Sequence, residues 1–404
     1  MSPRSAANTG YAPLYFLSSV GAGGLAVTFF MYLMFWVKHP GQSVPVFEDI
    51  AAAFGSGSLP LQIAIVLGMA GVAVFGMLNL RYLAWNLGKF NAFRKTDAYE
   101  TLRNSNGETT LLALPLALAM SINVGFLLGL VFVPGLWSIV EYLFPAAMAA
   151  FVLVGILAFA YIGDFLGRVL SKGGLFDVTL HNSFAQLLPA FALAMVAVGL
   201  SAPAAMSSVP ATVGTALVLS TVFGTLAVLY ALVAGITAFN SMLHYGTARD
   251  AAPTLLILIP LMTVLGIMVL RQDHGLHTTF EVHGTAAETM SFLAKVLAVQ
   301  FGILGLGLAV LRKQGYLGSF VFGDKTSPGA YTLVCPGVAL SVMLHFFINK
   351  GLVATGLIVK FGVAYWAFTS VALAFQIAMI ALVFYLNARH FGAGRAAAAA
   401  VPAE

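Results

Sequence analysis

Charge is scarce in this 404-residue sequence. Lys and Arg number 19, Asp and Glu 14, together 8% of the chain, against roughly 25% in soluble domains. The hydrophobic fraction is 60%, with 32 Phe, and the mean hydropathy is +0.96. So few charges cannot cover that much apolar surface in water, which excludes a cytosolic enzyme and a disordered chain. Cysteine is almost absent. Cys335 stands alone, so no intramolecular disulfide forms and a disulfide scaffold is excluded. No phosphate loop, nucleophile triad or dinucleotide fingerprint occurs; Gly21-x-Gly23-Gly24 lies within an apolar run. The reading is therefore not an enzyme. The formal charge of +5 would suggest nucleic acid only if the cations shared one face.

What is present is a series of apolar runs. About 20 residues cross ~30 Å of hydrocarbon, and ten runs of that kind appear, near 13–37, 61–85, 110–133, 137–163, 183–202, 211–238, 252–270, 289–311, 329–348 and 358–387. The first is too long for a signal-peptide core and no small-residue cleavage site follows it. With the N-terminus inside, 14 Lys and Arg fall on the cytoplasmic side. Four (Lys38, Arg271, Lys350, Lys360) fall outside, and Lys295 lies in the eighth run. This asymmetry predicts ten spans in the cell (inner) membrane with both termini cytoplasmic, and makes the positive balance an orientation signal rather than a nucleic-acid one. Residues 1–10 and 391–404 read as disordered cytoplasmic tails around a single transmembrane domain, residues 11–390. Lys38–Pro60 carries an amphipathic piece (Val46, Phe47, Ile50, Ala53, Phe54), and the polar link Leu87–Thr109 has room for a short surface helix. The outer connections near Pro134-Gly135 and Ser207-Ser208 are short, uncharged hairpins.

Proline recurs in successive odd-numbered runs at Pro115, Pro189, Pro260 and Pro336, with gaps of 74, 71 and 76 residues. The local text repeats too: Leu114-Pro115-Leu116-Ala117 against Leu188-Pro189-Ala190-Phe191-Ala192. Proline removes a donor and frees the carbonyl four residues earlier, here those of Leu111, Ala185, Leu256 and Thr332. Such carbonyls are tolerated where a kinked helix faces protein or a water-filled cavity. The fold class read from this pattern is all-α integral membrane. Five helical-hairpin repeats would place proline-kinked odd helices around a central pore and even helices against the lipid bilayer. The first run has Gly21, Gly23 and Gly24 where the others have proline.

The polar groups inside the odd runs are few: Ser121, Asn123, Gln186, Thr263, Thr332, Cys335, Ser341 and His345. With no carboxylate, Lys or Arg at mid-depth, a proton relay is disfavoured. An uncharged pore lined by hydroxyls and helix-break dipoles remains, which suits an anion. Candidate pore residues are Cys335, Pro336, Thr332, His345, Ser121, Asn123, Gln186 and Thr263. Glu141 and Lys295 lie near helix ends and read as snorkelling. Asp273, His274, His277, Glu281 and His283 form a polar outer loop without the rigid spacing of a metal site. No metal and no cofactor is assigned.

Ten helices with both ends inside, five hairpins and proline-kinked odd helices resemble the superfamily of tellurite-resistance TehA proteins, dicarboxylate transporters and plant slow-type anion channels, over about residues 11–390. The resemblance implies a channel or transporter for small inorganic or carboxylate anions, a homotrimer with one pore per subunit, and a phenylalanine plug on the ninth helix. Here that helix reads Leu333-Val334-Cys335-Pro336-Gly337 where relatives often have an aromatic before proline. The plug is therefore not carried over, and Phe346 and Phe347 lie at the helix's far end. Thr332–Val353 is also similar to the TsoY-type branch, in which this position is cysteine or selenocysteine. That implies a functional thiol at Cys335: a redox-sensitive gate or a soft ligand for a chalcogen-containing anion. Two other readings stay open, a membrane-embedded thiol redox protein or oxidoreductase subunit using Cys335, and a lipid-facing scaffold.

Overall fold

Ten helices of the computed structural model are long and apolar enough to cross a membrane, and no strand occurs among the described residues, 10–173, 176–180 and 182–391. The expected tails, apart from Gly10 and Phe391, lie outside that set. The spans are numbered 1 (Pro13–Trp36), 2 (Leu59–Phe93), 3 (Asn106–Phe132), 4 (Leu136–Lys172), 5 (Phe184–Met206), 6 (Pro210–Tyr245), 7 (Arg249–Phe280), 8 (Ala286–Lys313), 9 (Pro328–Val353) and 10 (Val363–Phe391). The amphipathic piece forms a helix, Phe47–Ser56, and the polar link holds another, Asp97–Arg103. The three largest boundary shifts are at span ends. Span 2 runs on to Phe93, span 4 to Lys172, and span 7 continues as α-helix through the segment expected to be a loop, so that Asp273, His274 and His277 are helical.

Burial alternates along the chain. The most apolar windows of the odd spans are 67–94% buried and those of the even spans 22–39%. Contacts explain this. Span 1 packs on span 3, 3 on 5, 5 on 7, 7 on 9, and 9 back on span 1. Each even span packs on the odd spans before and after it, span 10 on spans 9 and 1. Interhelical hydrogen bonds join the layers, as expected where no water competes. Asn79 Nδ2 donates to the Ser19 carbonyl at 2.9 Å and Ser19 Oγ donates to the Asn79 carbonyl at 2.9 Å, between spans 2 and 1. Gln300 Nε2 of span 8 donates to the Ile259 carbonyl at 2.9 Å and to Thr263 Oγ1 at 2.6 Å in span 7.

The prolines act differently from the interior kinks expected of them. Each lies in the first turn of an α-helix that directly follows a 3₁₀ segment. Pro115 follows Asn106–Leu112, Pro189 follows Phe184–Leu187, Pro260 follows Arg249–Leu256, and Pro336 follows Pro328–Leu333. Proline's fixed φ suits both helix types, and at the junction no regular α-helical turn precedes it for its ring to clash with, so it costs less there than inside an α-helix. The Ala185 carbonyl, expected to be freed, accepts from the Leu188 N–H. Serines cap three of the 3₁₀ segments: Ser105, Ser183 and Ser327 accept from the N–H groups of Gly107, Ala185 and Gly329. Span 1 begins the same way, with Pro13–Tyr15 in 3₁₀ form. The five 3₁₀ segments touch in a closed ring of the same order as the spans, so all five odd spans start at one end of the bundle.

Span 1 uses glycine for close approach. A Cβ on Gly21 would stand 2.9 Å from Val334 Cγ1, and one on Gly24 2.7 Å from Val338 Cγ1, both on span 9. Of the two roles open to these glycines, loosening or tight packing, the structure displays the second.

Candidate functional site

A cavity of about 850 Å³ occupies the middle of the odd-span ring, and all five odd spans line it. Its deep end lies next to the 3₁₀ ring, at Val20, Met120, Phe191, Pro260 and Cys335. No residue of the 3₁₀ ring lines it; Leu112, Leu187, Leu255 and Tyr331 of that ring are buried. Its other end reaches the loops after span 1 and around span 8, at His39, Gln42, His283 and Glu288. It is thus an inlet from the end opposite the 3₁₀ ring, closed by buried apolar and aromatic side chains.

Of the residues anticipated as pore-lining, Cys335, Asn123 and Thr263 border the cavity, with Pro260 beside them. The Cys335 side chain is buried at the deep end, at the second residue of the α-helix of span 9. Asn123 Nδ2 donates to the Ala119 carbonyl at 3.0 Å, and Thr263 accepts from Gln300. Thr332 and Gln186 lie in the 3₁₀ ring and Ser121 is buried beside the cavity wall; none lines it, and neither do Pro115, Pro189 and Pro336. Thr332 Oγ1, Ser121 Oγ and Gln186 Nε2 have no hydrogen-bond partner among the described residues. His345 is away from the cavity too. It is fully buried among Tyr32, Phe35 and Trp36, with ring centroids 6.3 to 6.5 Å away. Spacing from Cys335 placed it on the conduit, but the helix turns it outward to this aromatic cluster.

The cavity wall is not uncharged throughout. Its inner part is, but Arg271 of span 7 and Lys350 of span 9 line the outer part, along with Asp273, His274, His277 and Glu288. Arg271 Nη1 donates to the Val198 carbonyl of span 5 at 2.7 Å, and no carboxylate pairs with it among the described residues. A guanidinium carries five donors, so most remain for whatever fills the cavity. Glu288 is committed elsewhere: its carboxylate accepts from Thr285 N at 2.8 Å and Thr285 Oγ1 at 3.0 Å, capping span 8. The Asp273–His283 segment gathers no group of three metal-ligating residues among those described.

No family model matches the sequence, and comparison with curated proteins gives no match. The site therefore rests on its geometry.

Two lining residues that bear on function are not recognisable as such from the sequence. Phe191, at the second position after Pro189, is almost fully buried and borders the deep end. In an alternating Ala/Leu/Phe text no periodicity separates it from its neighbours. Arg271 was counted as a loop cation because hydropathy ends the seventh run at residue 270, whereas the helix continues to Phe280. The remaining sequence readings of charge are structural. Glu141, read as a snorkelling residue, accepts from Ser207 Oγ at 2.6 Å and Ser208 N at 2.7 Å, tying span 4 to the loop before span 6. At the 3₁₀ end Glu108 pairs with Arg103 and Arg168, and Asp164 pairs with both arginines.

Proposed function

We propose that this protein is a membrane conduit for small anions, running through the central cavity and held here in a closed form. In this reading the five hairpins are repeats, the odd helices surround the pore, and the 3₁₀ ring faces the cytoplasm with both termini, as the Lys and Arg asymmetry directs. The observation that carries the anion reading is Arg271. An unpaired guanidinium in a wall of low polarity is costly, and a mobile anion entering the cavity offsets that cost. The inner wall then passes the anion over hydroxyl, amide and thiol groups without a fixed charge to trap it, which suits conduction more than tight binding. The closed deep end is a hydrophobic constriction, the kind that opens by small side-chain displacement and wetting. The resemblance to the TehA and slow-anion-channel superfamily adds a homotrimer with one conduit per subunit. Cys335, at the constriction, is placed to modulate it by oxidation or by coordinating a soft anion.

The test is reconstitution of the purified protein into liposomes with a panel of monovalent, divalent and carboxylate anions, with cation flux as the control. Faster collapse of an anion gradient than in protein-free vesicles is expected, with potassium flux unchanged. Absence of anion flux across the whole panel, in both the native chain and a variant with the constriction opened, would contradict the proposal.

A further inference from the structure

The four Lys and Arg assigned to the outer side of the membrane are not scattered. Arg271 lines the central cavity, and Lys38, Lys350 and Lys360 line a second pocket of about 510 Å³ beside it. The two pockets share Met34, His39, Lys350 and Ala354, so Lys350 stands on the partition. The second pocket is formed where span 1 ends, where span 9 ends in a π-helical turn (Phe347–Val353), and where the chain enters span 10. No carboxylate lines it, and none of its three lysines forms a salt bridge among the described residues. The ammonium of Lys360 sits 5.3 Å from the Phe361 ring centroid. Burial, and then the charges of Lys38 and Lys350, push the Lys360 ammonium below its ordinary value, so Lys360 feels both of the other cations.

Three like charges gathered around a concavity without an acid are self-repelling. In a chain with so few charges, each is conspicuous. A lipid-facing role would spread them around the rim rather than collect them on one pocket. His39 adds a further polar group. Its Nδ1–H donates to the Val37 carbonyl at 2.9 Å.

We propose that Lys38, Lys350 and Lys360 form a binding site for an oxyanion of the phosphate or sulfate type at the outer mouth, next to the central cavity. Three point-like ammoniums suit the spread negative charge of such a group better than that of a single halide. The group can arrive free in solution or on a lipid headgroup, and both place the same oxygens on the same lysines. The site is read as an antechamber of the anion conduit and takes its placement from that reading; its binding chemistry is independent of flux.

Isothermal titration of inorganic phosphate and of sulfate into the full chain in neutral phosphatidylcholine nanodiscs tests the free-anion source. Native mass spectrometry after exchange into phosphatidylglycerol tests the lipid source. The native chain is expected to bind one of these saturably. The K38Q/K350Q/K360Q variant should lose roughly tenfold or more in affinity, with sensitivity to added salt falling in parallel. Its melting temperature in anion-free buffer should hold or rise, because repulsion is relieved. The single variant Lys350→Gln guards against misfolding of the triple one. Binding of the free anion assigns the site to solutes, and retention of phosphatidylglycerol alone assigns it to a lipid headgroup. Failure of both probes, or equal binding by the native chain and the lysine variants, would overturn the proposal, whatever the flux measurement gives.

Discussion

Replacing Arg271 by Gln is expected to lower anion flux by roughly ten- to a hundredfold while leaving the protein folded. The range follows from removing one charge-assisted interaction of about 1.5–3 kcal/mol with a partly desolvated anion. Gln retains a donor for the Val198 carbonyl, which in the native chain accepts from Arg271 Nη1 at 2.7 Å, so the packing between spans 7 and 5 loses little. Arg271→Glu should abolish flux, since it places a like charge in the path. Arg271→Lys should retain part of it, because the charge persists without the planar fork. The check is initial-rate flux in liposomes at matched protein incorporation, with thermal melts in detergent to establish folding. A Glu variant that conducts as well as the native protein would remove Arg271 from the path.

Opening the constriction should act in the opposite direction. Phe191→Ala is expected to raise flux by roughly tenfold or more, because an apolar neck gates by excluding water and loses that ability as it widens. Phe191 borders the deep end beside Met120, Pro260 and Cys335. Truncating a core Phe costs about 3–5 kcal/mol, but the lost ring here extends an existing cavity rather than leaving a sealed void. Phe191→Leu, a smaller change, should give an intermediate rise and keep the fold. Unchanged flux in both variants, with native-like melting, would place the barrier in the 3₁₀ ring instead, at residues such as Tyr331.

Much of the architecture was legible in the sequence because lipid imposes simple rules. Length, apolarity and the sorting of Lys and Arg located ten spans, and all ten are present as helices. Local geometry was less legible. Proline removes the same donor whether it kinks a helix or starts one. Only the preceding 3₁₀ segments, whose ends are set by Ser105, Ser183 and Ser327, show that Pro115, Pro189 and Pro336 stand in first turns. The direction of individual side chains was hardest. Spans 1, 3, 5 and 9 are apolar all round, so no face of the sequence announces the cavity. Asn123 and Thr263 face it while Ser121 and His345 do not, although each pair lies in similar text. Hydropathy also placed Arg271 in a loop, because a charged residue ends an apolar run even where the helix goes on.

The single thiol gives the most direct test of the central claim, since any modification of this chain by a thiol reagent falls on Cys335. Flux should be measured in liposomes holding the Phe191→Ala variant, before and after complete reaction with a small methanethiosulfonate, with Phe191→Ala/Cys335→Ser as the control. If anions pass through the central cavity, modification at its deep end stops most of the flux and the serine control is unaffected. Full modification of Cys335 with flux unchanged would contradict the account, because the anions would then be crossing by some other route.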